Sequence, residues 1–138
     1  MKIMAIDYGD AHTGIAVSDA LGMLCGFSTV ITAYRPEVVA ESVKKLIAEH
    51  GVTELVLGHP INMDGTRGPR SEKAHAMKAL LEEATSLPVV LWDERRTTID
   101  AHQILMNNGK NAKKRKKVVD AVAASLILEG YLTFKKSH

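Results

Sequence analysis

A single cysteine, Cys25, stands in 138 residues, so no intramolecular disulfide framework and no thiolate metal cluster is open to this chain, which fits a reducing cytosol. Aromatics are few as well: Phe27, Phe134, Tyr8, Tyr34, Tyr131 and Trp92 make up the whole set, too few for base stacking to dominate nucleic-acid binding as it does on single-strand platforms. No apolar run approaches the ~20 residues that span a bilayer, and Asp7 interrupts the one apolar stretch at the N-terminus, so neither a membrane span nor an export signal is expected. No strand is followed by Gly-Lys-Ser/Thr, which excludes a P-loop, and no serine elbow is present. Six histidines (His12, His50, His59, His75, His102, His138) show no zinc-ligand spacing. A second domain does not fit this length either, at roughly 100–200 residues per domain; residues 1–138 are expected to form one domain around one core.

Net charge is nearly absent too, at +2, but it is unevenly spread. Between Asn107 and Val119 lie Lys110, Lys113, Lys114, Arg115, Lys116 and Lys117 with no anion, which leaves −4 for the rest of the chain. Such a cluster on a mildly acidic domain is an electrostatic footprint for a polyanion; the alternative is a solvated loop.

What is present is a clear succession of elements. Lys2 to Ile6 is a buried strand stopped by Asp7-Tyr8-Gly9. Thr13–Ser18 and Gly26–Thr32 read as two more strands in an antiparallel meander. From Pro36 the apolar period becomes helical, through Val39, Val43, Leu46 and Ile47, and ends near Gly51. Glu54–Gly58 is another buried strand. A turn-rich loop follows, then a helix opened by Pro69 with Ala74, Met77, Leu81 and Ala84 along one stripe. Val89–Trp92 is the fifth strand, Thr97 or Thr98 caps a short helix to about Met106, and a last helix runs from about Val118 to Tyr131. A meander followed by strand–helix alternation predicts one mixed sheet with helices on both faces.

Three acids stand out. Asp7 ends a strand with no polar residue between Ile3 and Ile6, and the carboxyl edge of an open α/β sheet is where ligands bind; a turn-initiating Asp is the other reading. Glu94 ends the Val89–Trp92 strand in the same way. Asp93 points to the opposite face, because strand side chains alternate, so only one of the two can share a site with Asp7. Arg95, Arg96, Thr97 and Thr98 follow Glu94 with donors suited to phosphate; a surface ion pair is the bland alternative. Asp120 starts a helix apolar on nearly every side, and a buried carboxylate must find a cation or shift its pKa; Lys116 or Lys117 would serve, as would the helix N-terminus.

Carboxylates at element ends beside phosphate-binding donors describe a hard-cation site. Magnesium binds through one or two carboxylates plus substrate phosphates, and two such ions could activate a water and stabilise the leaving oxygen of a phosphodiester. The basic segment would hold the nucleic-acid backbone beside them.

Five motifs appear in order: Met4-Ala5-Ile6-Asp7-Tyr8-Gly9, Gly14-Ile15-Ala16-Val17-Ser18-Asp19, Gly58-His59-Pro60-Ile61-Asn62-Met63-Asp64-Gly65-Thr66, Asp93-Glu94-Arg95-Arg96-Thr97-Thr98, and Lys117 to Ala124. Together they resemble the YqgF (RuvX) family of Holliday-junction-resolvase-like proteins and pre-16S rRNA nucleases, over the chain to about Phe134. The resemblance implies an RNase H-like fold with a mixed five-stranded sheet in order 3-2-1-4-5. It implies that Asp7, Glu94 and Asp120 are catalytic, metal-binding acids for one or two Mg2+ or Mn2+ ions. It further implies a cytoplasmic hydrolase of phosphodiester bonds in structured RNA, maturing the 5′ end of the small-subunit ribosomal RNA. Arg95, Arg96, Thr97, Lys113, Lys114, Arg115, Lys116 and Lys117 are the expected nucleic-acid contacts. The chain departs from the family pattern at His12, where a basic residue is usual, and at His59, where an apolar one is; Ala123 stands where related resolvases carry a further acid.

Three other readings are open at this point: a junction-cleaving DNA resolvase, which would need a symmetric dimer; a non-catalytic RNA-binding assembly factor on the same fold; and a phosphotransferase related to the actin-like and sugar kinases, whose phosphate loop Asp7-Tyr8-Gly9 with Gly14 resembles. Those kinases clamp nucleotide between two such domains, and the length here supplies one. Monomer and homodimer are not distinguished by the sequence.

Overall fold

The computed structural model describes residues 2–20, 25–59, 68–93 and 112–137. Strands β1 (Lys2–Asp7), β2 (His12–Ser18) and β3 (Cys25–Thr32) form the antiparallel meander. Helix α1 (Pro36–His50) leads to β4 (Val52–His59), and α2 (Pro69–Thr85) to β5 (Val89–Asp93). Helix α3 (Ala112–Ser137) closes the described chain. The sheet order is β3-β2-β1-β4-β5, with β1–β4 and β4–β5 parallel, as the family resemblance implied.

Two apolar layers sandwich the sheet because strand side chains alternate. Met4, Ile6, Ile15, Val17, Leu55, Leu57 and Val89 face α1 and α2, meeting Val39, Val43, Ala74, Met77 and Leu81. Ile3, Ala5, Ala16 and Val56 face α3, meeting Ala124, Ile127, Leu128, Tyr131 and Leu132. Both helices of the first layer open on proline, where the missing N–H costs nothing. Helix α1 ends at Gly51, whose φ of 70° is the left-handed conformation of a C-cap and whose N–H donates to the Ile47 carbonyl.

Helix α3 departs from expectation. It begins at Ala112, so the basic stretch from Lys113 to Lys117 forms its first turns instead of a loop before it. Alanine, lysine and arginine are strong helix formers, and no glycine or proline interrupts residues 112–129. The short helix expected between Thr97 and Met106 lies outside the described residues.

Candidate metal and nucleic-acid site

Strand register places the first acid. Asp7 is half-buried at the carboxyl end of β1 and pairs with Gly14 of β2. On its other side the Ile6–Leu57 register runs on to bring Asp7 beside Gly58 of β4, and Gly58 in turn pairs with Trp92 of β5. Alternation puts this entire row, Gly14, Asp7, Gly58 and Trp92, on the α3 face, because Ala5, Ala16, Val56 and Trp92 all join the α3-side layer. The Asp7 carboxylate is therefore flanked on both neighbouring strands by residues without side chains.

The same alternation places Asp93. Val89 and Leu91 pack with α1 and α2, whereas Val90 and Trp92 pack with α3. Asp93, paired with His59, accordingly lies on the face opposite Asp7. Glu94 lies outside the described residues, as do Arg95, Arg96 and Thr97. Position 120 falls one helical turn before Ala124, which is fully buried against the sheet, but the side chains of Asp120 and of Lys113, Lys114, Arg115, Lys116 and Lys117 are outside what is described. Among the described residues no three His, Cys, Asp or Glu side chains converge on a metal position, and of the three expected acids only the Asp7 side chain is described.

The β1–β2 turn is tight. A Cβ on Gly9 would lie 2.4 Å from the His12 carbonyl oxygen, so only glycine lets the chain reverse this soon after Asp7. Asp10 in the turn accepts from Lys73 Nζ of α2 at 2.7 Å, tying the turn to the helix. Between them, burial pushes the Tyr8 phenol pKa up; the Asp10 carboxylate adds to this, Lys73 opposes it and Glu37 adds a little more. Tyr8 thus stays a neutral donor at physiological pH.

Two buried polar features on the α1/α2 face were not legible in advance. His59, at the end of β4, shares a 2.6 Å hydrogen bond between its Nε2 and Ser71 Oγ in the first turn of α2, and its ring meets His75 edge-on at 4.9 Å. The one signal for it was His59 itself, a polar residue in an apolar strand. Thr13, fully buried, has no hydrogen-bond partner for its hydroxyl.

Comparison with known proteins gives the family and the fold. The RuvX family model, described as Holliday junction resolvase, matches residues 1–134. The chain belongs to the RuvX family. A relative from Halothermothrix orenii, named "Putative pre-16S rRNA nuclease", is 44% identical over 98% of this chain and 96% of its own length. Among solved structures, T. thermophilus RuvC in complex with a Holliday junction substrate superposes with a TM-score of 0.63 at 14% identity, covering 99% of this chain and 96% of that one. A ROK hexokinase from Thermus thermophilus matches with a TM-score of 0.51 at 24% identity, over 75% of this chain but only 38% of its own. Both likenesses are of fold. The kinase resemblance of the first motif is thus a shared sheet, which in the hexokinase is part of a much longer chain.

Proposed function

We propose that this RuvX-family chain is a divalent-metal-dependent nuclease that hydrolyses phosphodiester bonds in structured RNA, processing the 5′ end of pre-16S rRNA in the cytoplasm. The observation that carries the reading is Asp7, a carboxylate at the carboxyl edge of the sheet with glycine on both adjoining strands. The name borne by the Halothermothrix orenii relative supplies the substrate.

Asp7, Glu94 and Asp120 would hold Mg2+ or Mn2+, because hard cations take carboxylate oxygens and keep waters and substrate phosphate as their other ligands. When bound, one or two such ions supply nucleophile activation and neutralise charge on the leaving oxygen. The chain's own part is positional. Gly14 sets no side chain opposite Asp7 on β2, Gly9 and the Asp10–Lys73 pair fix the turn that follows it, and Tyr8 offers a neutral hydroxyl. Arg95, Arg96 and Thr97 would bind phosphate near Glu94. Lys113, Lys114, Arg115, Lys116 and Lys117, brought into the opening turns of α3, would hold the backbone that leads to Asp120.

The test incubates the purified protein with precursor ribosomal RNA and, separately, with a four-way DNA junction, each with Mg2+ or Mn2+. Cleavage of the RNA that is lost in Asp7→Asn is the expected result. Cleavage of the junction alone would favour the activity in the family's description. Steeply salt-dependent RNA binding without cleavage would make the chain a non-catalytic assembly factor.

A further inference from the structure

The first turns of α2 hold the sheet at two points beside the Asp7 edge. Ser71 and His59 are both buried, with Ser71 Oγ and His59 Nε2 2.6 Å apart, and the Ser71 N–H donates to the Gly68 carbonyl at 3.0 Å, which fixes the serine in the opening turn of the helix. Two residues on, Lys73 Nζ reaches Asp10 Oδ1 at 2.7 Å. One turn beyond Ser71, the His75 ring meets the His59 imidazole edge-on, with centroids 4.9 Å apart. His59 is the residue after Gly58, and Asp10 is the third after Asp7. Helix α2 therefore grips the chain just past both of these neighbours in the sheet, from the face opposite Asp7. His59 is also in register with Asp93, the last residue of β5, so the same grip reaches a third strand.

The two contacts differ in strength. The Lys73 and Asp10 side chains are 53% and 80% exposed, and an ion pair so open to solvent contributes little. The His59–Ser71 bond is buried, and a buried polar group that loses its partner receives no water in exchange. An apolar side chain at position 59 could pack beneath α2 but could not tie it at one point, whereas a short hydrogen bond is directional. We propose that His59 and Ser71 are positioning residues for the Asp7 edge. Their bond fixes the carboxyl ends of β4 and β5 against α2, and through the pairing of β4 with β1 it sets where the Asp7 carboxylate stands when a divalent cation binds. The inference rests on the metal site of the proposed function. Neither residue is a ligand in it, because both lie on the α1/α2 face and Asp7 lies on the other.

The test compares wild type with Ser71→Ala, His59→Leu and His59→Gln, whose side-chain amide can still bond the serine. Manganese affinity is read by calorimetry at a temperature where each protein is folded, and the Asp7 and Trp92 backbone amides are followed by NMR in the metal-free state. Ser71→Ala and His59→Leu should weaken manganese binding about tenfold, the low end of what supporting partners of metal ligands contribute, and should shift both amides. His59→Gln should recover most of the affinity, and Lys73→Met should leave it within about twofold of wild type. Unaltered manganese affinity in folded Ser71→Ala would overturn the positioning role and leave the bond a structural contact alone. A loss in His59→Gln as large as in His59→Leu would overturn it too, and these two variants decide the matter if Ser71→Ala does not fold. A wild type that binds no manganese fails the metal site of the proposed function, and the amides then decide: shifts at Asp7 in Ser71→Ala and His59→Leu uphold the inference, and an unmoved Asp7 overturns it.

Discussion

Gly9→Ala is the sharpest perturbation of the proposed site that leaves every acid in place. The new methyl would sit 2.4 Å from the backbone oxygen of His12, whereas ordinary contact begins near 3.4 Å, so the turn must open by about 1 Å. The obstacle is backbone, and it cannot swing aside as a side-chain tip would. His12 is also the first residue of β2, in register with Thr32 of β3, so opening the turn strains that pairing and the Asp7–Gly14 pair. Overpacking of this kind costs about 1–3 kcal/mol, which for a domain of this size lowers Tm by roughly 4–12 °C. Manganese affinity, read by calorimetry, should fall as well, because Asp7 is two residues from the substituted Gly9. Gly51→Ala serves as the comparison. Its φ of 70° makes the substitution cost about 1–2 kcal/mol, yet nothing lies within 4 Å of the added carbon and α1's C-terminus is remote in sequence from the acids, so Tm should drop while metal affinity holds. A Gly9→Ala protein that melts within a degree of wild type and binds manganese equally well would refute the account of this turn.

Three further outcomes follow from particular contacts. Ser71→Ala turns a methyl toward the buried His59 Nε2 in place of a 2.6 Å hydrogen bond and should cost about 1–3 kcal/mol; an unchanged denaturant midpoint would mean that the bond contributes nothing. Burial, the hydrogen bond to Glu54 and the charge of Glu54 raise the Tyr131 pKa to about 12 from 10.0. Above pH 10 the unfolded chain therefore releases a proton that the folded chain retains, and stability present below pH 10 is lost as pH rises toward 12. Tyr131→Phe should flatten the thermal stability profile in that window, and a profile as steep as that of wild type would assign the loss to other groups. Gly130→Ala should gain about 1 kcal/mol of helix propensity but press on the Trp92 indole at 3.2 Å. A net loss of stability with a shifted Trp92 emission is expected; a net gain with unaltered emission would show that the close approach is not tight.

Much of the fold was legible because the hydrophobic period changes cleanly along the chain. The unbroken Ile3–Ile6 run, the helical stripe after Pro36 and the proline at the start of α2 each fix an element by local rules. The start of α3 was missed for a physical reason. A run of lysines has no apolar period, so its helical propensity left no pattern to read, and only the element itself shows residues 112–117 in the helix. Within the site, strand alternation predicts that only one of Asp93 and Glu94 shares a face with Asp7, and the core layers place Asp93 on the face away from Asp7, while Glu94 lies outside the described residues. The glycines flanking Asp7 could not be recognised as such, since cross-strand register depends on pairings between segments about seven and fifty residues apart. The His59–Ser71 bond and the gathering of Trp92, Tyr131 and Phe134 were hidden likewise. Gly130 reads in sequence as a weak point in a helix; in the fold it is the crossing over Trp92.

The central claim is that Asp7, Glu94 and Asp120 share a divalent cation at the carboxyl edge of the sheet. It is tested most directly by a crystal structure of the protein soaked in manganese with a nucleic-acid fragment, using anomalous scattering to place the ion. One or two manganese ions ligated by all three carboxylates on the α3 face, and lost in Asp7→Asn, are expected. Carboxylates too far apart to share one ion or two neighbouring ions, or manganese bound elsewhere, would contradict it.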